Sequence, residues 1–427
     1  MSPPRLRIAI VGGGPAGLTL GLLLHKRGIP FIIFELRQKP TPEELAKPAG
    51  SLDLHQESGL AAIRGCDLFD EFSSLTGDCT EAQRISNKDG NIIYTDEGEL
   101  SNRPEISRHK LTELLLSHLP ASLIKWGHKL LGAKSSTASG HTEIELDFGQ
   151  NGKQTFDLVI GADGAWSRVR TLLTDVNPQY AGVQFITLNI RQITTRYPHL
   201  AELVGLGSFA CLGDRHGVSS QRSVQDVARI YIMISTEDEH FATTTGLSSK
   251  TPAQAKGKLI DGGLPFSRWG TNIKELVAVA CDDESAANPS AHLDIMPLYS
   301  LPVGHSWEHR PCVTLIGDAA HLMCPWAGEG VNLAMKDSLL LSQAIIKAHE
   351  IAGQDAVSLQ DALDPLMKEF EANMMAGAKE EAQGTVENGK MMFGSDDGAT
   401  ALAHFFKSHG YEAIEMPTAD SAIRPRS

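Results

Sequence analysis

Positive charge is in short supply along these 427 residues. Lysine and arginine number 38 against 52 acidic residues, a formal net charge of −14. That balance argues against nucleic acid or an anionic membrane as the main partner and favours a solvated monomer or small homo-oligomer. Unbroken apolar runs are missing as well. The one long uncharged stretch, Ile8 to Leu24, is interrupted by Gly12, Gly13, Gly14, Pro15 and Gly17. A membrane span needs about 20 unbroken apolar residues, so this stretch reads as a strand plus a helix. Cysteine is sparse and lacks paired spacing. Cys66, Cys79, Cys211, Cys281, Cys312 and Cys324 contain no CxxC, so neither a disulfide framework nor a metal site is expected, and reduced thiols in a cytoplasmic setting fit better. Met1 to Arg5 leads straight into the first strand, so no signal or transit peptide is expected. Repeats and low-complexity tracts are absent too. A hydrophobic content of 41% and a charged content of 21% are those of an ordered globular chain. The length exceeds one small core, so two domains or one elaborated domain are expected.

Three glycine-containing stretches carry the chemistry. The first, Gly12-Gly13-Gly14-Pro15-Ala16-Gly17, follows the apolar strand Leu6 to Val11 and opens a helix over Ala16 to Arg27. Gly12 allows the tight turn, Gly14 lets a pyrophosphate approach the backbone, and Gly17 lets helix and strand pack closely. Amide N–H groups at the helix start favour phosphate charge. The next strand, Pro30 to Phe34, ends at Glu35, placed to hold a ribose hydroxyl pair. The second stretch, Gly161-Ala162-Asp163-Gly164, again ends a strand and is predicted to open a helix. Asp163 reads equally as a backbone cap or as a cofactor neighbour, and Arg170 as reaching a phosphate or a structural carboxylate. The third, Gly317-Asp318-Ala319-Ala320-His321, puts a carboxylate at the end of the strand Val313 to Ile316, where it can hold a sugar-chain hydroxyl of a flavin. The turn Pro325, Gly328, Gly330, Val331, Asn332 leads into a long helix to His349, whose N–H groups and dipole can stabilise negative charge on a reduced isoalloxazine. Together the three read as one FAD site. His321 is open to two readings, a base or a structural histidine, the second being commoner in such a turn.

Elsewhere, Arg37 to Gly50 reads as a mobile loop, and Gly50 to His55 as a short strand followed by a helix over Gly59 to Ile63. Ala82 to Thr95 is expected to form a strand, a turn at Asp89-Gly90-Asn91 and a second strand, with Ser107 as N-cap of a helix over Leu111 to Leu119. A hairpin is expected from Ile144–Phe148 and Phe156–Ile160 about Asn151-Gly152. Val183 to about Cys281 reads as a sheet region, and Met367, Phe370, Met374 and Ala378 as a core-facing helical stripe within Pro365–Phe393. The last dozen residues, with Pro417, Arg424 and Pro425, are expected to be loose.

With these motifs in place the chain resembles the class A flavoprotein monooxygenases, the para-hydroxybenzoate hydroxylase-like family, and within it the tetracycline-inactivating branch. The resemblance rests on the three glycine stretches with Glu35 and Arg170, on Gly50-Ser51-Leu52-Asp53-Leu54-His55, and on Pro104-Glu105-Ile106-Ser107-Arg108. It implies an α/β fold: a Rossmann-like FAD-binding domain of glutathione reductase type, a substrate domain with a mostly antiparallel sheet, and a C-terminal helix. The expected boundaries are 1–80, 100–177 and 290–350 for the first, 81–99 and 178–289 for the second, and 351–427 for a C-terminal segment. By the same resemblance Glu35 binds the adenosine ribose, Arg37 or its neighbour the adenine, Ala49, Ser51, Asp53 and Arg108 the flavin side, and Asp318 the ribityl or pyrophosphate region. This chain departs from the branch in having Cys324 where a second proline is usual and Glu329 where a glutamine is. Lys47 is the local candidate for nicotinamide recognition.

The implied reaction is that NADPH or NADH reduces FAD, dioxygen adds as a C4a-hydroperoxide, and one oxygen atom passes to an aromatic, polycyclic or indolic small molecule, as in secondary metabolism or antibiotic inactivation. Arg191, on an uncharged strand, reads as a catalytic group if it faces the flavin and as an ordinary strand charge otherwise. Tyr231 reads as a hydrogen-bond donor or as packing, and Phe185, Phe209 and Met233 as a pocket wall. A flavin halogenase would need a Trp-x-Trp pair, which is absent. A simple dehydrogenase would leave Asp318 and Gly328 to Asn332 without a role, and a non-catalytic FAD-binding scaffold is the remaining alternative.

Overall fold

The computed structural model describes residues 6–76, 82–98, 104–138, 141–223, 226–263, 265–352 and 356–408. Cys79 and the tail with Pro417, Arg424 and Pro425 lie outside them. The chain divides into two compact units, one of Met1–Gly77, Asn102–Gly182 and Pro297–Asn388, the other of Asp78–Ser101, Val183–Met296 and Gly389–Ser427.

The first unit is built on a five-stranded sheet in the order Val313–Leu315, Leu158–Gly161, Ile8–Val11, Ile32–Phe34, Ile124–Lys125. Every pairing in it is parallel. Its strands are short and almost wholly apolar because both faces are covered, as in parallel sheets generally. Ile8, Ile10, Ile33, Phe34, Val159 and Leu315 are all buried. Helix Pro15–Lys26 starts with proline at its first position, where the missing N–H costs nothing. It packs on helix Gly330–Ala352, and the Ser338 hydroxyl donates to Ala16 O at 2.8 Å. An antiparallel sheet of Gly132–Ala138, His141–Asp147 and Lys153–Phe156, and a pair of Ser51–Asp53 with Glu105–Ser107, complete the unit.

The second unit holds a seven-stranded sheet in the order Ile295–Ser300, Gln179–Arg191, Val227–Ser235, His216–Ser223, Ser208–Gly213, Gln83–Asn87, Ile92–Asp96. It is mostly antiparallel, with a parallel pairing between Ser208–Gly213 and Gln83–Asn87. Side chains alternate across it. Ile186, Leu188, Ile190, Phe209, Ile230 and Ile232 face a core closed by helices Pro252–Ile260 and Thr271–Ala287. On the other face Ala210 and Leu212 pack with Ile85 and Tyr94 under helix Gly398–Ser408.

Several elements differ from expectation. The loop Arg37 to Gly50 contains a helical turn, Pro42–Leu45, closed by a capping box between Thr41 and Glu44. Ser107 occupies the N-cap of helix Arg108–Ser117, but its side chain makes no capping bond. The Asn151-Gly152 turn forms, with Gly152 at φ +84°, but the strand after it splits at Asp157. Lys153–Phe156 makes the hairpin and Leu158–Gly161 enters the parallel sheet, because residue 157 turns its carboxylate to Arg7. No helix follows Gly164; a single 3₁₀ turn, Arg170–Leu172, stands there. The region to Cys281 is not sheet alone, since Ile193 opens a short helix and Thr271–Ala287 is a long one. The C-terminal stripe is core: Met367, Phe370, Met374 and Ala378 are all buried on helix Ala356–Phe393, which carries Pro365 inside it.

Candidate active site

Because the first unit's strands are parallel and in register, the turns after Val11, Phe34, Gly161 and Leu315 emerge at one edge of the sheet. That carboxyl edge is where open α/β sheets bind ligands. All three glycine stretches therefore meet in space.

The glycines there do different work. Gly12 sits at φ +114°, and a Cβ on it would lie 2.0 Å from Ala162 O; one on Gly17 would lie 2.0 Å from Gly12 O. Both close the turn against its neighbours. A Cβ on Gly14 would meet nothing within 4 Å, and the same holds for Gly330. Backbone is thus left bare at two helix starts whose first N–H groups have no intrahelical acceptor. Such a cradle suits phosphate at one end and a ring that gains negative charge at the other. Gly317, at φ +62°, brings the third stretch between them, its Cβ position 3.1 Å from Ala334 Cβ and 3.4 Å from Ala16 Cβ.

The carboxylates follow. Glu35 is buried, with Oε2 accepting from Gly13 N at 2.7 Å and Oε1 from Arg37 N at 2.9 Å. Each oxygen keeps a second lone pair for a hydroxyl. Asp318 is reachable by solvent yet crowded on its flanks, and that burial raises its carboxyl pKa against the pull of His321 and Arg108. Asp163 is a cap: it accepts from Ser167 Oγ at 2.5 Å, Arg168 N at 2.7 Å and Val169 N at 3.3 Å. The Arg170 guanidinium donates to Ala319 O at 3.0 Å and Ala165 O at 2.7 Å, tying the second stretch to the third. His321 is structural, buried with Nε2 2.7 Å from Asp337 Oδ2, which also accepts from Gly317 N. Burial opposes the charge on His321, and Asp337 outweighs it, so its pKa is raised.

Near the second helix start, Pro325–Ala327 forms a 3₁₀ turn, Gly328 stands at φ +73°, and Val331 packs on the core. Asn332 is fully buried. It accepts from His55 N at 2.9 Å and Ser58 Oγ at 3.3 Å and donates to Asp53 O at 3.0 Å. Its side chain is spent on protein. Ser51 Oγ donates to Glu105 Oε2 at 2.7 Å, Ala49 is buried, and Arg108 is exposed with its N–H on Gly50 O. Arg37 and Lys47 are exposed.

In the second unit Arg191 is held in ion pairs. Its guanidinium lies 2.9 Å from Asp283 Oδ2 and 3.3 Å from Glu284 Oε2, and Arg196 joins Asp283 as well. These carboxylates, on helix Thr271–Ala287, already balance its charge. Tyr231 is half-buried beside Phe185, ring centroids 5.1 Å apart, with the Arg229 guanidinium 5.7 Å from its ring. Phe209 lies on the opposite, core-facing side of the sheet, so it does not share a wall with Phe185 and Met233. Sequence reasoning quoted His55 in the Gly50–His55 stretch but gave it no role. Its ring lies between Asp53, two positions away, and the distant Glu329, at 3.0 Å and 3.2 Å, and no local pattern reveals the second partner.

A parallel sheet with two bare helix starts and an acidic strand end at its carboxyl edge is the arrangement of a dinucleotide-binding protein. The chain belongs to the FAD binding domain family, which it matches over residues 5–248 and 273–375. It is 34% identical over 94% of its length, and 98% of the relative's, to a monooxygenase, penA of Penicillium thymicola. Among solved structures, HpxO of Klebsiella pneumoniae complexed with FAD and uric acid superposes with a TM-score of 0.68 at 16% identity, covering 94% of this chain and 93% of that one. The tetracycline destructase Tet(51) gives 0.64 at 16%, covering 95% and 96%. The chain is an FAD-dependent monooxygenase, and the expected α/β architecture with its antiparallel second sheet and C-terminal helix is the one present.

Proposed function

We propose that the substrate is a planar aromatic, polycyclic or indolic small molecule, that NADPH or NADH supplies the electrons, and that the cofactor spans the first unit's sheet edge. The observation behind the substrate class is the sheet face of the second unit that carries Phe185 and Tyr231, two half-buried rings in contact with Arg229 beside them. Flat π-surfaces of this kind stack on aromatic ligands, and an adjacent cation favours an electron-rich or anionic ring.

Bound FAD supplies the redox and oxygen chemistry, accepting electrons and delivering one oxygen atom from dioxygen. The residues of this chain bind and orient it. Gly14 and Ala16 present backbone to the pyrophosphate past Pro15, Gly12 and Gly17 shape the turn, Glu35 accepts a ribose hydroxyl, and Arg37 flanks the adenine. Asp318 accepts from the ribityl chain, while Gly328, Gly330 and the Val331 and Asn332 backbone face the ring's pyrimidine end. Ala49, Ser51, Asp53 and Arg108 flank the flavin, and Pro325 fixes the turn before Gly328. Asp163 contributes through the turn it caps. Among the described residues no helix is long and apolar enough to cross a membrane. The five described cysteines are unbridged, which supports a cytoplasmic setting.

The test is a screen of NAD(P)H consumption across phenolic, polycyclic and indolic compounds under isotopically labelled dioxygen. A product heavier by one labelled oxygen is expected from one of these classes. Tyr231→Ala should raise KM about tenfold with a smaller effect on kcat, as loss of ground-state stacking does. Turnover of aliphatic substrates alone would overturn the substrate class.

A further inference from the structure

We propose that His55 is a positioning residue that sets the charge beside the reduced flavin, its imidazolium cancelling one of the two carboxylates, Asp53 and Glu329, at the start of helix Gly330–Ala352. The inference rests on the proposed seating of the ring's pyrimidine end at that helix start.

The geometry favours the charged ring. His55 Nε2 is 3.0 Å from Asp53 Oδ2 and Nδ1 is 3.2 Å from Glu329 Oε1, so both ring nitrogens face carboxylate oxygens. A neutral imidazole would aim a lone pair at one of them, whereas the protonated ring donates to both. The side chain is 7% exposed. Asn332 fixes the ring's backbone by accepting from His55 N and donating to Asp53 O. The hydrogen bonds that the ring donates to Asp53 and then to Glu329 push the imidazole up to about 9, against burial. Further charges act on the cluster, Glu380 among them. Glu381, on helix Ala356–Phe393, is raised by burial and by Glu329, and Lys336, on helix Gly330–Ala352, offsets it.

With His55 protonated, the trio of Asp53, His55 and Glu329 carries one negative charge; with it neutral, two. The difference falls where reduction adds negative charge to the ring. His55 therefore favours the reduced cofactor, and its effect depends on charge rather than shape.

The test is the FAD midpoint potential of the purified holoprotein and of His55→Gln, Glu329→Gln and the double variant, measured by spectroelectrochemistry from pH 7 to 10. Free-enzyme histidine titration by NMR accompanies it. His55→Gln should lower the ratio of reduced to oxidised FAD affinity about tenfold, equivalent to about 30 mV for a two-electron couple. Glu329→Gln should raise it. The double variant, again with one negative charge, should return to near the wild-type potential. The wild type should show a break near pH 9 that His55→Gln lacks. A double variant no better than His55→Gln would make the role purely structural and overturn the proposal, as would a His55 that titrates at its ordinary value. If His55→Gln does not fold, the rise in Glu329→Gln and the wild-type pH break decide alone. A high-titrating His55 with unchanged potentials in every variant, at normal FAD affinity, overturns it by showing that the ring sits elsewhere.

Discussion

Glycines that look alike in the sequence separate by what lies opposite their missing Cβ. At Gly17 the space is filled by Gly12 O, and at Gly14 it is empty. Gly17→Val should therefore destabilise the fold, by about 3 kcal/mol or more because backbone rather than a movable side chain is struck. Gly14→Val should leave the urea midpoint unchanged and weaken FAD binding about 10- to 100-fold in a fluorescence titration. Equal losses of stability in the two variants would show that Gly14 serves packing. His55 gives a second outcome at this level. Its folded pKa of about 9 stands above the ordinary 6.5. The stabilisation it brings is thus complete below pH 6.5 and is lost as pH rises through 9. The difference in unfolding free energy between wild type and His55→Gln should shrink by up to about 3 kcal/mol from pH 6 to pH 10. A constant difference would show that the ring is held by packing alone.

Asn332 joins elements rather than residues, fastening the start of helix Gly330–Ala352 to the chain at Asp53, His55 and Ser58. Asn332→Leu removes the acceptor of the His55 N–H and the Ser58 hydroxyl and a donor to Asp53 O, and each buried polar group that loses its bond costs about 1–3 kcal/mol. We expect a loss of about 3 kcal/mol in urea unfolding together with weaker FAD binding, since the helix start would lose its register with the flavin-side strand. A variant as stable as wild type would remove Asn332 from this role. Elements of this kind mark how far the sequence could be read. Strand, glycine turn and helix are local patterns, so the three stretches, the long helices and the Asn151-Gly152 turn were legible. Arg170, Arg191 and His55 were not, because their partners lie at Ala319, Asp283 and Glu329 on separate elements. Phe209 failed for another reason. Its facing depends on strand register, which pairs it with Ser220 and leaves Phe185 opposite Met233 on the other side of the sheet.

At the level of the molecule, the first unit is assembled from three separated chain segments, and its two bare helix starts come from the first and the last of them. Ser338 Oγ on Ala16 O, 322 positions away in the chain, is a polar tie between the two helices. A dinucleotide lying along the sheet edge would add a tie at each end. Anything that binds only the folded state stabilises it, by about 2.7 kcal/mol at a ligand concentration 100 times Kd. Hydrogen exchange with FAD at that excess should therefore slow amides of residues 13–18 and of residues 329–334 by about 100-fold, and both together. Gly14→Val, at the same FAD concentration, should cut the protection at both places alike, to about 2- to 10-fold, although residue 14 lies in only one. If protection at 329–334 stayed near 100-fold in that variant while that at 13–18 fell, the two helix starts would be binding independently, and a single cofactor uniting the three glycine stretches would be ruled out.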